Sequence, residues 1–303
     1  MATDCFWAIL SGKTIERWPC PKNRVFHDEV SFSMLLRDAE ILFNNLLSPG
    51  LYHLGLKCPE IAFRVQPGQF LMVRVREGWD PLLRRPFAVH RLCQDHSPSS
   101  FEMLYRVAGR GTRLLTKMQP ASSLNLLGPL GRGFQPPTRD GFILMVAGGI
   151  GIAPLPFLAD ALVRSGLRGP LVLWFGGKSG DDLICVQHFY DLGFSVKLVT
   201  EDGSEGRQGL VTEHLEKWLV QQDEMPSVIY SCGPYPMQRT VADIATRLGI
   251  PSQLSMEALM GCGVGACLSC SLKCRARDGG QDPYYANVCQ EGPVFPGDRI
   301  VWE

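Results

Sequence analysis

Two patterns of apolar residues divide this chain. Between residues 40 and 107, short apolar and aromatic runs alternate with turn residues, as in SPG at 48–50 and QPGQ at 66–69. Short runs of this kind, bounded by Gly, Pro, Asn and Asp, are typical of antiparallel strands. The pattern predicts an antiparallel β-barrel or sandwich that ends near residues 136–137.

The second pattern begins with FILMVA at 142–147, a continuous apolar run typical of a parallel strand that is covered on both faces. Strand-like runs then alternate with helix-like stretches until about residue 253. This alternation predicts a doubly wound parallel sheet. The predicted fold class is therefore a multidomain β plus α/β protein. The predicted units are an N-terminal extension (1–38), a β-barrel (39–137), an α/β domain (138–252) and a cysteine-rich segment (253–303).

The extension at residues 1–38 shows weak periodicity, and the sequence indicates at most a short helix near 30–37. Its role is unassigned. The early Asp4 and the short apolar stretch that follows do not resemble a secretory signal, so a cytoplasmic location is expected. The uncharged stretch at 141–159 contains four glycines and two prolines. A strand, a glycine turn and a helix start fit it better than a membrane span.

Charge excludes some function classes. Lys and Arg together number 30, and so do Asp and Glu, which gives no net charge. This balance argues against a nucleic-acid partner. The chain has 11 cysteines. Without a secretory signal, clustered cysteines are more often metal ligands than disulfide partners.

The stretch GCGVGACLSCSLKC at 261–274 concentrates four of these cysteines. Cys262, Cys267 and Cys270 have the spacing C-x4-C-x2-C, and Cys289 follows after eighteen intervening residues. This is the plant-type [2Fe–2S] pattern. Zinc is disfavoured because only one C-x2-C pair exists, and a [4Fe–4S] cluster is disfavoured because Arg275 replaces the proline of that run. Zinc and a [4Fe–4S] cluster stay open as alternatives. In the [2Fe–2S] interpretation, Cys274 is a spare thiol.

Three segments of the α/β region follow predicted strands. AGGIGIAPL at 147–155 joins a strand to a helix, and TED at 200–202 and CGP at 232–234 follow two other strands. Ligands of open α/β sheets bind at the carboxyl ends of the strands. The sequence therefore predicts a nucleotide site there. The alternative is a tight turn without a ligand, because Pro154 replaces the third glycine of the usual fingerprint.

The barrel region carries its own candidate anion site. DPLLRRPFAV at 80–89 places Arg85 before a proline at the start of a strand, where it can bind phosphate or stack on a ring. The alternative is a solvated basic pair. YRVAGRGT at 105–112 supplies a glycine turn with backbone N–H donors and a hydroxyl.

In this order, these segments resemble the ferredoxin reductase-like superfamily. More closely, they resemble its electron-transfer subunits of bacterial NAD-dependent dihydroorotate dehydrogenases. The resemblance covers about residues 39–303, and its most specific part is the cysteine run that closes on GPVF at 292–295. It implies an FAD-binding barrel, an NAD-binding α/β domain and a terminal [2Fe–2S] segment.

The resemblance also implies the site residues. The implied FAD contacts are Arg85, Pro86, Phe87, Ala88, Leu104, Tyr105, Arg106, Gly111 and Thr112. The implied NAD contacts are Gly148, Gly149, Gly151, Pro154, Gly233 and Pro234, and Cys232 is implied beside the reacting nicotinamide. The implied cluster ligands are Cys262, Cys267, Cys270 and Cys289. Ala88 departs from the family pattern, which has a hydroxyl residue there, and this puts in doubt how the flavin potential is tuned.

The implied function is electron transfer in pyrimidine (UMP) biosynthesis. Electrons leave dihydroorotate at an FMN in a separate catalytic subunit and pass through the cluster and FAD to NAD⁺. The partner must be another polypeptide, because too few βα units remain here for a (β/α)₈ barrel. The expected assembly is a heterotetramer with two chains of each kind. The alternatives are the flavin subunit of an NAD(P)H:ferredoxin oxidoreductase or hydrogenase, and a non-catalytic iron–sulfur carrier.

Overall fold

The structure is a computed structural model that describes residues 34–93, 99–139, 141–276 and 282–302. Most of the predicted extension lies outside these residues. The part that is described belongs to the first strand, which begins at Leu35. The predicted short helix near 30–37 is therefore wrong for residues 35–37, where the backbone pairs with another strand instead.

The first half of the chain forms one antiparallel sheet that curls into a barrel. Its strands are β1 (Leu35–Ser48), β2 (Leu51–Lys57), β3 (Phe70–Arg74), β4 (Arg85–Ala88), β5 (Arg91–Leu92), β6 (Ser100–Arg106) and β7 (Ser123–Leu130). Two short helices, α1 (Pro59–Ala62) and α2 (Arg110–Leu115), cover turns between strands. The strand order is β4-β3-β7-β1-β2-β6-β5. The predicted antiparallel barrel is confirmed.

Strand β7 was not predicted, although it lies in the middle of the sheet between β3 and β1. Its sequence, SLNLLGPL, contains Asn125 and ends with Gly128 and Pro129, which are turn residues by composition. Leu124 and Leu126 nevertheless point into the barrel and are fully buried. Tertiary pairing on both sides therefore overrides the local signal.

The second half forms a parallel sheet with helices. In chain order the elements are β8 (Ile143–Gly148), α3 (Leu155–Arg164), β9 (Leu171–Gly177), α4 (Val186–Asp191), β10 (Ser195–Thr200), β11 (Arg207–Gln208), α5 (Val211–Leu219), β12 (Val228–Cys232), α6 (Tyr235–Arg247) and β13 (Ser252–Ser255). The C-terminal elements are β14 (Ser271–Cys274), β15 (Tyr284–Asn287), α7 (Val288–Glu291) and β16 (Val294–Pro296). The order β11-β10-β9-β8-β12-β13-β16 confirms the predicted doubly wound sheet.

The parallel sheet continues beyond residue 252, where its predicted unit ends. β13 pairs with β12 in parallel, and β16 adds an antiparallel strand at the edge. The sequence SQLS of β13 is too polar to indicate a strand. The C-terminal segment thus supplies the edge strand of the α/β domain as well as the cysteine loop.

The uncharged stretch at 141–159 forms β8, a 3-10 helix at Gly149–Ile152 and the first part of α3. This agrees with the prediction of a strand, a glycine turn and a helix start. Within the described ranges, no helix is long and apolar enough to cross a membrane.

One apolar core joins the three parts of the chain. It contains Phe70, Met72 and Leu130 from strands β3 and β7 of the barrel. It also contains Trp174 and Leu254 from the parallel sheet, together with buried residues of the C-terminal segment that include Cys270, Cys289 and Ile300. Because protein interiors are close-packed, this shared core fixes β3 and β7 of the barrel against the cysteine-rich segment.

Arg84 connects two strands of the barrel. Its guanidinium donates hydrogen bonds to the carbonyl oxygens of Met72 (3.2 Å) and Asn125 (3.1 Å) and to Asn125 Oδ1 (2.5 Å). These contacts link β3 to β7 beside the shared core. Arg84 is therefore structural, and of the two adjacent arginines only Arg85 is left for a ligand.

We expect Arg84→Gln to lower the free energy of unfolding by about 2 kcal/mol, because it removes charge-assisted hydrogen bonds to buried carbonyls. Urea unfolding of the flavin-free protein measures the change. Arg74→Gln is the matched control, since Arg74 is an exposed residue on the same strand pair. Equal stability of the two variants would contradict the structural role of Arg84.

Candidate cofactor sites

The four predicted ligand cysteines come together at the C-terminal segment. Cys262, Cys267 and Cys270 lie in the loop before β14, and Cys289 lies in α7. The β14–β15 hairpin explains their meeting, because Ser271 pairs with Asn287 and the Val288 N–H donates to the Cys270 carbonyl at 3.0 Å.

The thiols form two pairs. Cys262 interacts directly with Cys267, and Cys270 interacts directly with Cys289. Cys262 also lies close enough to Cys289 for their charges to interact. Two adjoining pairs fit a [2Fe–2S] cluster, in which each of the two irons takes two thiolates.

Backbone N–H groups of the loop point at these sulfurs. Val264 and Cys267 donate to Cys262 Sγ, each at 3.4 Å, and Gly265 donates to Cys289 Sγ at 3.2 Å. Gly265 has a φ of +77°, a conformation that glycine adopts without strain. Such donors stabilise thiolate ligands and tune the potential of a cluster.

The pairs differ in exposure. Cys267 is exposed, and the hydroxyl of Ser269 lowers the pKa of its thiol to about 6. Cys270 and Cys289 are each only 2% exposed, and burial together with the neighbouring Cys270 raises the pKa of Cys289 to about 12. A cluster held here has one side at the surface and the other in the shared core.

Cys274 lies away from both pairs. It ends β14, opposite Tyr284, whereas Cys270 precedes the start of that strand. Four residues of a strand span about 13 Å. Cys274 is fully buried in the shared core, and its backbone bridges to Ile300. Its position is that of a core residue.

The predicted flavin residues lie on β4, on β6 and in the first turn of α2. The guanidinium of Arg85 packs against Gly111, where any Cβ would collide with Arg85 Nε. Arg85 also donates to the Leu83 carbonyl. An arginine that lies over a glycine turn with backbone N–H groups fits a bound diphosphate.

Thr112 shapes that turn. Its Oγ1 accepts hydrogen bonds from the N–H groups of Ala108 (3.0 Å) and Gly109 (3.1 Å) and donates to the Gly109 carbonyl (3.1 Å). The hydroxyl was predicted as a cofactor contact. Its hydrogen bonds are instead made within the turn.

The β6 residues face different directions. Tyr105 is 1% exposed, stacks on Tyr52 with ring centroids 5.3 Å apart, and donates to Asn44 Oδ1 at 2.9 Å. Its side chain thus belongs to the barrel core, so only its backbone can contact a ligand. Leu104 faces the other way and packs in the apolar core of the parallel sheet.

The remaining β4 residues, Pro86, Phe87 and Ala88, are half-buried. Phe87 packs near Tyr105, with ring centroids 5.8 Å apart. Ala88 offers no hydroxyl to a flavin, as the sequence already indicates. These residues present a mostly apolar strand beside Arg85.

A cleft of about 580 Å³ lies at the carboxyl ends of the parallel strands. Its lining includes the predicted NAD contacts Gly148, Gly149, Gly151, Gly233 and Pro234. It also includes Arg106, which was predicted as an FAD contact. Any Cβ at Gly151 would collide with the Cys232 carbonyl, and a Cβ at Gly233 would lie 3.0 Å from the Gly148 nitrogen. Glycine at these strand ends keeps the cleft open and its backbone accessible, which fits a dinucleotide.

Two predicted residues do not line this cleft. Pro154 precedes α3, after the 3-10 helix, and helps to start that helix. Cys232 is 4% exposed at the end of β12, and burial raises the pKa of its thiol to about 12. At neutral pH it is an uncharged thiol that lies behind the residues lining the cleft.

The cleft also contains two acidic residues outside the set of predicted contacts. Asp182 accepts from Arg106 Nη2 at 2.7 Å and from the Lys178 N–H at 2.9 Å, and these partners hold its pKa below the usual range. Glu257 also lines the cleft, and burial raises its pKa. Asp182 follows Asp181 in a short 3-10 helix after β9, whereas Glu257 is an isolated acid in a loop, which gives no sequence signal.

Comparisons with known proteins agree with this geometry. Residues 257–301 match the family model of the iron–sulfur cluster binding domain of dihydroorotate dehydrogenase B, and residues 145–243 match an oxidoreductase NAD-binding domain. The electron transfer subunit of dihydroorotate dehydrogenase B (NAD(+)) from Desulforamulus reducens is 36% identical over 266 residues, which cover 88% of this chain and 98% of that protein. The same subunit from Geobacillus thermodenitrificans is 38% identical over 268 residues, covering 86% and 96%.

This chain belongs to the family of dihydroorotate dehydrogenase B electron transfer subunits.

Solved structures confirm the fold expected for this family. An NADH-dependent reduced ferredoxin-NADP oxidoreductase has a TM-score of 0.74 and 26% identity, covering 87% of this chain and 90% of that one. A ferredoxin NADP⁺ reductase from Neisseria gonorrhoeae has a TM-score of 0.60 and 21% identity, covering 71% and 92%. The predicted iron–sulfur segment and NAD-binding domain are confirmed by the family models.

We expect Cys289→Ala to abolish cluster binding, because it leaves one thiol pair with a single sulfur. Iron content and the EPR spectrum of the reduced protein measure the loss. Cys274→Ala is the matched control and keeps both iron and signal. Retention of the cluster in Cys289→Ala with loss in Cys274→Ala would contradict the ligand set.

Proposed function

We propose that this chain carries electrons from the FMN-containing catalytic subunit of an NAD-dependent dihydroorotate dehydrogenase to NAD⁺. The path runs through a [2Fe–2S] cluster on Cys262, Cys267, Cys270 and Cys289, and then through FAD on the barrel. The observation that carries the proposal is the contact of the cysteine loop with the barrel. Gly263 packs directly on Met72 and Leu130, which lie on β3 and β7.

This contact supports the proposed order of the cluster, flavin and NAD sites. β3 pairs on one side with β7 and on the other with β4, which carries Arg85 and Ala88. The cysteine loop therefore lies on the barrel near the strand proposed to hold the flavin. Arg106 extends from β6 into the nucleotide cleft, so the barrel also borders the proposed NAD site.

The chemistry of the groups explains why the flavin stands between the other two. A bound flavin accepts single electrons and also exchanges hydride, whereas the cluster passes single electrons and nicotinamide takes hydride only. The chain's own part is positional. Arg85 and the Gly111 turn hold the diphosphate, Gly148 and Gly233 admit the dinucleotide, and apolar walls around the cleft exclude water.

The face around the cluster supports docking of a protein partner. Leu259 is 90% exposed, Leu268 is 60% exposed and Tyr285 is 66% exposed. Leu268 directly follows the exposed ligand Cys267. Exposed apolar residues grouped at one place mark interaction surfaces. We assign this face to the catalytic subunit, because docking here brings its cofactor towards the surface side of the cluster.

Assembly as a heterotetramer, a cytoplasmic location and a role in pyrimidine synthesis belong to the same proposal. They rest on the family, whose members are named as subunits of dihydroorotate dehydrogenase B. The mass of the reconstituted complex tests the stoichiometry.

The similarity to a reduced ferredoxin-NADP oxidoreductase favours one alternative, a flavin subunit that exchanges electrons with ferredoxin. The layout of barrel, nucleotide domain and cysteine loop serves both. A carrier without nucleotide chemistry is disfavoured, because the cleft belongs to a matched NAD-binding domain.

The test is anaerobic reconstitution with the catalytic subunit of a dihydroorotate dehydrogenase B. We expect dihydroorotate to reduce the cluster, seen by EPR, and to drive NADH formation. Leu268→Glu places a charge in the proposed interface and lowers dihydroorotate-dependent NADH formation at least about tenfold, roughly the effect of one interface hot spot. NADH-driven reduction of a dye is unchanged, because it needs no partner.

Val220→Glu is the control for Leu268→Glu. Val220 is 62% exposed at the end of α5 and should tolerate the charge in both assays. Full dihydroorotate activity of Leu268→Glu would refute the assigned face. Reduction of ferredoxin by NADH or NADPH without any response to dihydroorotate would favour the alternative function.

A further inference from the structure

A buried cluster of metal-binding side chains lies on the barrel, outside the sites described above. It consists of His53 on β2, His90 between β4 and β5, and Glu102 on β6. One ligand atom from each residue lies within 4.8 Å of the other two. His90 and Glu102 are 2% and 9% exposed. Two histidines and a carboxylate form a common zinc ligand set.

His90 is held in the form that a metal ligand needs. Its Nδ1 lies 2.7 Å from the carbonyl oxygen of Ala153. A carbonyl oxygen only accepts, so Nδ1 carries the hydrogen and Nε2 keeps its lone pair. Histidine ligands are typically fixed in this way by a backbone carbonyl on the other nitrogen.

His53 and Glu102 are already at the spacing of neighbouring ligands. His53 Nε2 lies 2.9 Å from Glu102 Oε2. Two ligand atoms at about 2.0–2.1 Å from one tetrahedral ion are separated by only slightly more than this. A small outward movement of either side chain therefore makes room for the ion.

Cys93 lies beside the cluster but outside its ligand set. Its Sγ lies 3.6 Å from Glu102 Oε1, and its N–H donates to the Ser100 carbonyl at 3.1 Å, which fixes the backbone next to β6. Among the described residues, the ligand atoms that come within 4.8 Å of one another belong to His53, His90 and Glu102, which leaves the fourth position of a tetrahedral ion to water.

The charges around the cluster favour a cation. Arg91 Nε lies 3.8 Å from Glu102 Oε2, and Arg91 Nη1 lies 3.2 Å from His188 Nδ1. His188 Nε2 in turn faces Asp160 Oδ1 at 3.0 Å. Glu102 and Asp160 bring two carboxylates to this network and Arg91 brings one guanidinium, so the acidic side chains outnumber the arginine.

We propose that His53, His90 and Glu102 bind one Zn²⁺ ion. The ion ties three parts of the barrel to the nucleotide domain, because His90 contacts Ala153 at the start of α3. Its role is structural and separate from electron transfer.

The test uses the full chain with its iron–sulfur cluster and flavin in place, so that the cysteine loop is filled. Equilibrium dialysis against buffered micromolar Zn²⁺, followed by elemental analysis, measures uptake. We expect about one zinc per chain, and at least about tenfold weaker binding in His53→Gln and in Glu102→Gln. X-ray absorption at the zinc edge should show nitrogen or oxygen ligands at about 2.0–2.1 Å and no sulfur at about 2.3 Å.

His214→Gln is the matched control, because His214 lies on α5 and contacts the Gln208 carbonyl. It should bind zinc like the unaltered chain. Thermal unfolding without zinc checks that the variants fold, and added zinc should raise the unfolding temperature of the unaltered chain and of His214→Gln but not of the two site variants. The proposal would be overturned if the unaltered chain took up no zinc, or if both site variants took up as much zinc as the unaltered chain. A shell of sulfur ligands alone, as the cysteine loop would give, would also overturn it.

Discussion

The packing of Gly263 on Met72 and Leu130 ties the cysteine loop to the barrel, and the position of the cluster site relative to the barrel depends on it. Electron transfer between fixed groups depends on their separation, so the chain must hold the loop and the barrel rigidly. A glycine with a φ of +75° lets the loop approach the barrel without a side chain between them. The same apolar core contains Cys270 and Cys289, so cluster binding and domain packing stabilise each other.

The nucleotide cleft obeys a different constraint, because its ligand must enter and leave. The glycines at the ends of β8 and β12 give access to backbone N–H groups, and the ion pair of Arg106 with Asp182 crosses from the barrel to the nucleotide domain. This pair is partly exposed, and such pairs contribute little to stability. The pair therefore suits a site where a ligand enters and leaves, more than it suits a contact that holds the domains together.

Much of this arrangement could be predicted from the sequence where chemistry needs fixed spacing. The C-x4-C-x2-C run and the apolar strand at 142–147 carry local signals, because a cluster needs its ligands and a buried strand needs its side chains. β7 and β13 could not be predicted, since pairing with neighbours far away in sequence decides their conformation. The directions in which the side chains point could not be predicted from the sequence either. Tyr105 and Cys232 follow the expected motifs, and the structure buries the side chains of both.

The buried polar network between the barrel and the nucleotide domain raises the question of what holds these domains in register. Apolar packing joins the barrel edge to the cysteine-rich segment on one side. On the other side, His90 and Arg91 of the barrel contact Ala153 and His188 of the nucleotide domain. Hydrogen bonds are directional, so this contact defines orientation where apolar packing alone tolerates sliding. Two contacts of different kinds, on different sides of the barrel, thus fix the proposed flavin strand relative to the nucleotide cleft.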